Sequence, residues 1–488
     1  MANDNTSIRP FILYSGLVTL VFLLLTRNFG LGIEIDAVHF LYAAQNIPTK
    51  FTKPNNDFFI DWPPLYPLVL SIYQLGAPKI PILDFTKYLH LFLILVSGLS
   101  SLYLLATFVK EKAYLYLASL VFAFSFPLLL VHIFAWSEPL FITILMLIMV
   151  CIVRLQKSTN HLPFCFLLPL IFLLIMQRKS GIMFVPGIAL VLLTLPNKAF
   201  KTKIIYSGFA ALTGVVSYGL WQYYRKKFTG HMFGEAYWDL ERLYLNPLET
   251  IDQLSTWFLP HQIPAYVRVS TLIVLAFFLY KSNIVKGIFS EVNKSTVLKT
   301  ALFLSGSYLI VLNLVLVYVH IADDFDDRIL APAYLPIFIL LIGMAYLIDQ
   351  KKFTIKIRNI SIPILLVFAC WMLYPTMRTA KHIIYLNQDG TGGYNHQTWN
   401  KNLVVQKAKT LESGVPIIST DNYALLYQIN IKEQNNRDIR FSIPESPFYF
   451  IDFFNNSDLP PEIIEKINNL PSRIVYQNKE GKILLISP

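Results

Sequence analysis

Long apolar runs alternate with short polar gaps over the first three quarters of this chain. The runs cover residues 10–27, 87–109, 113–132, 137–155, 162–177, 180–196, 204–223, 267–281, 298–320, 329–348 and 360–376. A helix that crosses a bilayer needs about 20 mostly apolar residues, so the longer runs read as spans and the shorter ones as short or broken spans. The gaps between them change sign in turn. Glu34, Asp36, Asp57 and Asp61 follow the first run, then Lys110 and Lys112, then Glu138, then Arg154 and Lys157. Lys198, Lys201 and Lys203 fill one later gap and Lys281, Lys286, Lys294 and Lys299 another. Asp323, Asp324, Asp326 and Asp327 are followed by Lys351, Lys352, Lys356 and Arg358. Lys and Arg collect on the cytoplasmic side of membrane proteins, which puts the basic gaps inside and the acidic gaps outside. The pattern predicts a polytopic α-helical protein of the plasma (inner) membrane with about 11 transmembrane helices. Its N-terminus is expected in the cytoplasm and its C-terminus outside. Arg225, Lys226 and Lys227 fall on the outer side against this rule, where they can bind phosphate.

Three segments do not read as spans. Residues 28–86 form a first outside loop holding one apolar piece, Leu65–Leu75, too short to cross. Residues 228–266 form a second, with Phe233, Tyr237, Trp238, Tyr244 and Trp257 among mixed charges, as expected of a helix lying in the membrane interface. Residues 377–488 are polar and are expected to form a small α/β domain outside, leaving 1–376 as the membrane domain. In that tail Val415–Thr420 reads as a strand and Asn422–Ile429 as a helical turn. Arg473–Gln477 and Ile483–Ile486 read as a hairpin.

Composition agrees: the chain is 55% hydrophobic and 15% charged, whereas soluble proteins carry nearer a quarter charged residues. The net charge of +11 is spread over short loops and not gathered in a stripe, which argues against nucleic acid. Cys151, Cys165 and Cys370 all lie in apolar runs and are expected to be buried small hydrophobes. The first run lacks a small-residue cleavage site and reads as a retained anchor.

Four clusters carry candidate chemistry. Glu34 and Asp36 lie just beyond the first span, where a carboxylate beside an apolar loop can act as a general base or be a solvated loop acid. Asp61-Trp-Pro-Pro-Leu-Tyr66-Pro fixes an extended entry into a short helix, and by itself reads as a rigid interfacial turn. In Trp136-Ser-Glu138-Pro, Ser137 can cap the following span, Pro139 suits its first turn and Glu138 complements the helix dipole. The run Asp323-Asp-Phe-Asp-Asp327-Arg328 could attract a divalent cation. It also fits the aspartate-rich motif of prenyltransferases. Arg328 could grip a lipid phosphate in two-pronged fashion or merely neutralise Asp324 or Asp327. No His/Cys zinc spacing and no Walker, G-x-G-x-x-G or G-x-S-x-G motif is present, so the motifs demand no metal or nucleotide cofactor.

Taken in order, these pieces resemble the GT-C superfamily of membrane glycosyltransferases, in the branch of the protein O-mannosyltransferases and aminoarabinose transferases. Asp36-Ala-Val-His-Phe40 with Ala44 fits that branch's first-loop acid. Pro63–Pro67 match its P-P-L-Y-P element, Ser137-Glu138-Pro139 its acid at the head of the fourth span, and Arg178-Lys-Ser-Gly181 its R-x-x-G. Asp326-Asp-Arg328-Ile-Leu-Ala-Pro332 fits D-x-R-Y-L-x-P, with Ile329 in place of tyrosine. The resemblance implies an inverting transfer of a sugar from a polyprenyl-phosphate donor to a lipid, glycan or protein acceptor on the outer face. It implies Asp36, with Glu34 and Glu138 as further catalytic acids, and Asp61, Tyr66, Arg178, Arg225, Asp327 and Arg328 as substrate-binding residues. The competing classes are a secondary transporter, whose mid-membrane ionisable groups and repeated halves are not seen in this sequence, and a prenyltransferase using Asp323–Asp327.

Overall fold

The computed structural model describes residues 8–50, 63–76, 81–229, 239–281, 290–318, 327–351, 361–411, 414–428, 443, 445–454, 459 and 461–488. Asp57, Asp61, Phe233, Tyr237, Trp238 and Asp323–Asp326 lie outside these.

Each predicted apolar run coincides with helix. α1 (Arg9–Leu25) is followed by two short helices, α2 (Ile35–Lys50) and α3 (Leu65–Gly76), and then by α4 (Ile82–Ala106). Next come α5 (Lys112–Ala123) and α6 (Phe126–Ile133), which meet at a 42° bend and together have the length and apolarity of a span. The bend is written in the sequence: Ser125 caps α6 through the Leu128 N–H at 3.2 Å, and Pro127 occupies its first turn. After α7 (Glu138–Lys157), α8 (Leu162–Gln177) and α9 (Val185–Leu193) are separated by a 3₁₀ turn, Lys179–Phe184. There Arg178 is extended, and a Cβ on Gly181 would lie 2.7 Å from the Leu174 carbonyl oxygen, so the reversal needs glycine. The long α10 (Phe200–Thr229), α11 (Arg242–Ser255), α12 (Ala265–Lys281), α13 (Thr296–Tyr318), α14 (Asp327–Lys351) and α15 (Ser361–Asp389) complete the helical part. Among the described residues five helices are long and apolar enough to cross a membrane, or six counting the bent pair. Arg9–Leu25, Leu162–Gln177, Lys179–Leu193 and Ala265–Val274 are shorter apolar helices.

The two ends of the bundle differ in charge. At one end Lys198 Nζ donates to the Ser158 carbonyl at 2.6 Å, Lys299 Nζ reaches the Thr194 carbonyl at 3.4 Å, and Gln350 bonds Glu111 at 2.8 Å. At the other end the starts of α2, α7 and α14 meet the end of α8. The flanks of the bundle are apolar outward. Phe209, Leu212, Val215 and Leu220 of α10 are exposed, as suits a helix whose surroundings are hydrocarbon. Cys165 and Cys370 are likewise exposed and only Cys151 is partly buried, which corrects the expectation of three buried thiols. In a membrane an apolar run needs no protein interior to be at home.

α11 is amphipathic in the inverted sense. Asn246, Thr250 and Ser255 are buried, whereas Leu243, Tyr244, Leu248 and Ile251 point outward. Its polar face is tied to α13: Asn246 Nδ2 donates to the Asn313 carbonyl at 3.1 Å and Thr250 to Asn313 Oδ1 at 3.2 Å.

The tail folds as α16 (Gln397–Lys401), α17 (Leu403–Ala408), β1 (Ile417–Ser419), α18 (Asn422–Gln428), β2 (Phe448–Phe453), α19 (Pro461–Asn468), β3 (Ser472–Gln477) and β4 (Gly481–Ile486). The sheet order is β1-β2-β4-β3, with β1 parallel to β2 and the β3–β4 hairpin antiparallel. The tail is fastened to the first loop. Ile33 N–H reaches the Gly392 carbonyl at 3.4 Å, Tyr394 N–H the Ile33 carbonyl at 2.7 Å, and Asn395 Nδ2 the Leu31 carbonyl at 2.8 Å. Gly393 sits at φ +58°, and a Cβ there would fall 1.9 Å from the Ile33 oxygen.

Candidate active site

The first loop is held on both sides. Besides its bonds to the tail, Gly32 donates to the Ile133 carbonyl at 2.8 Å and its own carbonyl accepts from Ala135 at 3.0 Å. The chain therefore enters α2 at a fixed point, with Asp36 in the first turn, where the helix dipole favours a carboxylate. The same backbone bonds fix the segment that runs on to Glu138 at the head of α7.

Arg328 joins the two acids. Its Nη2 is paired with Asp36 Oδ2 and its Nε with Glu138 Oε1. Arg178 closes on the same Glu138 oxygen through Nη1. The Arg328 guanidinium carbon also lies 4.3 Å from the centre of the Trp136 ring, a cation–π contact that orients its plane. Four residues from four separate stretches of sequence thus form one cluster of two carboxylates and two guanidinia, balanced in charge. Glu138 is almost wholly buried, whereas Asp36 and Arg328 keep about a fifth of their side-chain surface open. Asp36 is therefore the more open of the two acids.

Other expectations need correction or replacement. Ser137 takes the N-cap position of α7 but makes no cap bond; its Oγ lies 3.5 Å from Arg178 Nη1, drawn to the guanidinium and away from the helix. Gln177 Nε2 donates to the Ser137 carbonyl at 2.7 Å and fixes the approach of α8. Arg328 does not neutralise Asp327, because the two side chains diverge. Asp327 Oδ1 accepts from Trp257 Nε1 at 2.9 Å and Gln253 Nε2 at 3.1 Å, and its Oδ2 pairs with Arg378 at 3.2 Å. Asp327 is thereby a clasp joining α11, α14 and α15. Tyr66 is fully buried, its hydroxyl 2.7 Å from His90 Nε2, and burial together with the nearby Glu138 charge raises its pKa well above the usual tyrosine value. Glu34 lies in the clamped loop, where its carbonyl accepts from Val38 at 3.0 Å. Arg225 is half-buried in the last turns of α10. Among the described residues no three His, Cys, Asp or Glu side chains gather as metal ligands.

Arg378 and His90 were not singled out from the sequence, and Trp257 was read there only as an aromatic of an interfacial loop. Arg378 had a signal: like Arg225, it is a basic residue on the acidic side of the membrane pattern. It also stacks 3.6 Å from the Phe126 ring.

No protein-family model matches the sequence, and no curated protein matches it. Solved structures do. The apo crystal structure of ArnT from Cupriavidus metallidurans matches with a TM-score of 0.60 and 12% identity, covering 98% of each chain. The structure of the same protein bound to undecaprenyl phosphate matches with a TM-score of 0.56 and 10% identity, again over 98% of each chain. From one end to the other, tail included, the present chain has the GT-C-like fold of these structures.

Proposed function

We propose that this protein is a membrane glycosyltransferase that moves a sugar from a polyprenyl-phosphate donor to a hydroxyl acceptor on the outer face. The observation that carries the reading is the shared Arg328 guanidinium, held between Asp36 and Glu138 at the non-basic end of the bundle. The undecaprenyl phosphate seen in the ArnT structure supports the lipid class. The acceptor oxygen attacks the anomeric carbon, the bond from that carbon to the phosphate oxygen breaks, and the phosphate leaves with the electron pair. Asp36, the accessible acid, takes the acceptor proton. Backside attack gives inversion.

Arg328 and Arg178 face the charge that grows on the departing phosphate, the kind of electrostatic stabilisation that usually dominates. Both guanidinia are already committed to carboxylates, so the arriving phosphate competes with Asp36 for Arg328. This exchange frees the carboxylate as the donor settles. α11, whose apolar face points outward and whose Gln253 bonds Asp327 beside Arg328, would guide the polyprenyl chain. A divalent cation at Asp36 and Glu138 would have to displace Arg328 from both, so this charge-balanced pair of acids does not suit a metal; Asp323–Asp326, where the sequence could attract one, lie outside the described residues.

The test is direct. Protein reconstituted in lipid vesicles is offered a panel of undecaprenyl-phosphate-linked hexoses and pentoses with a lipid extract as acceptor, and products are read by mass spectrometry. Release of undecaprenyl phosphate from at least one donor, lost in Asp36→Asn, supports the reading. Absence of release from every donor removes it.

A further inference from the structure

We infer that His90 is a positioning residue that sets the distance between Asp36 and Glu138, the two acids on which Arg328 closes. The inference rests on the reaction proposed above and adds to it a residue that touches no substrate. His90 lies on α4, wholly buried, and both of its ring nitrogens are used. Nδ1 is 2.9 Å from the His132 carbonyl oxygen, which can only accept, so Nδ1 carries the proton. Nε2 is then an acceptor, and the Tyr66 hydroxyl donates to it at 2.7 Å.

Each of these bonds leads to one acid. Tyr66 sets its ring against Phe40, edge to face at 5.2 Å. Phe40 lies one turn beyond Asp36 on α2, on the same side of that helix. On the other side His132 ends one residue before Ile133, whose carbonyl holds Gly32 and whose chain runs directly to Glu138. One rigid ring is therefore fastened to the carriers of both carboxylates. His132 offers a contrast: its Nδ1 bonds only the Leu128 carbonyl of its own helix at 2.7 Å, and its Nε2 has no hydrogen-bond partner among the described residues. The P-P-L-Y-P element, which by itself reads as a rigid turn, gains a purpose in this frame. It brings the tyrosine that links α2 to α4.

Three variants of the full chain in lipid vesicles test this, assayed with the donor that the wild type consumes. His90→Leu removes both bonds, Tyr66→Phe removes one by deleting a single oxygen, and His90→Gln offers an N–H and a carbonyl oxygen from one side chain. A misplacement of about 1 Å can cost up to ~10²-fold, so kcat should fall about 10- to 10²-fold in His90→Leu and less in Tyr66→Phe, with donor KM nearly unchanged. His90→Gln should recover much of the loss. Amide hydrogen exchange on the same proteins should show faster exchange in residues 37–44 and 133–136 of His90→Leu, with the rest of the bundle unchanged.

Unaltered kcat in both His90→Leu and Tyr66→Phe would overturn the inference. So would a loss in which KM rises as the melting temperature falls and glutamine restores nothing. If His90→Leu does not insert, Tyr66→Phe decides alone. If the wild type itself transfers nothing, the proposed reaction fails, and the exchange experiment still decides whether His90 holds the two acid-bearing segments.

Discussion

Single side chains decide how the cluster works. Arg328 reaches two acids because its planar guanidinium presents nitrogens in different directions, which an ammonium cannot do. Arg328→Lys should keep part of the activity, about a tenth, whereas Arg328→Ala should lose roughly 10²–10³-fold, the usual effect of removing one transition-state donor. Initial rates with the active donor, on protein shown to be inserted and monodisperse, give both values. Asp36→Asn keeps the shape but cannot take a proton, and its turnover should fall about 10²–10⁴-fold while polyprenyl-phosphate binding survives. Glu34→Gln is the control for the neighbouring acid. A dead Glu34→Gln beside an active Asp36→Asn would move the base to Glu34. The acids and Arg328 were legible in the sequence because charges are rare in an apolar chain and each stands at the end of a run. Which charges pair was not legible, since the partners Asp36 and Arg328 are 292 residues apart and adjacency offers the wrong choice, Asp327.

At the scale of elements, the sequence was most readable where one period governs. The apolar helices, the short helix after Pro63–Pro64 and the β3–β4 hairpin stand close to where hydrophobic run length, proline and the Asn-Lys-Glu-Gly turn place them, although among the described residues five or six helices, and not about 11, have the length and apolarity of a span. β2 was missed because it lies between two apolar layers. Phe448 and Phe450 enter one cluster and Tyr449, Ile451 and Phe453 the other, so the alternation that marks a half-exposed strand is absent. The clasp on Asp327 was hidden for another reason: its donors come from α11 and α15, whose helical patterns say nothing about which turn faces which. Asp327→Asn leaves Arg378 without its counter-charge beside the Phe126 ring. Removing one partner of a buried pair costs roughly 3–5 kcal/mol, and with Arg378 still 23% exposed the lower end is expected. A thermal melt in detergent, monitored beside a tryptophan signal from Trp257, should show this as a lowered midpoint. Gly393→Ala has a different target. Its Cβ would strike the Ile33 backbone, so the first loop must shift, and activity should fall more than global stability does.

Over the whole molecule, charge separates the two ends of the bundle, and the tail domain is fastened at the end that carries Asp36 and Arg328. Both the tail and the site should therefore face outward. In a variant lacking Cys151, Cys165 and Cys370, a cysteine at the exposed Lys409 should react with an impermeant maleimide in intact cells. One at the exposed Lys201 should react only after the membrane is opened. The reverse pattern would put the site in the cytoplasm and end the proposed mechanism.

The bond from Asn395 to Leu31 also has a meaning in time, because it spans 364 residues. A ribosome adding about 5–20 residues per second needs roughly 20–70 s to make the second partner after the first. Through that interval the backbone of the loop leading to Asp36 is held by its bonds to the 133–135 segment. The nascent chain thus inserts nearly all its helices before the tail arrives to lock the loop. A chain stopped near residue 380 would be a membrane protein of almost full helical content with an unfinished active site, and restoring the missing tail as a separate polypeptide offers a way to switch it on.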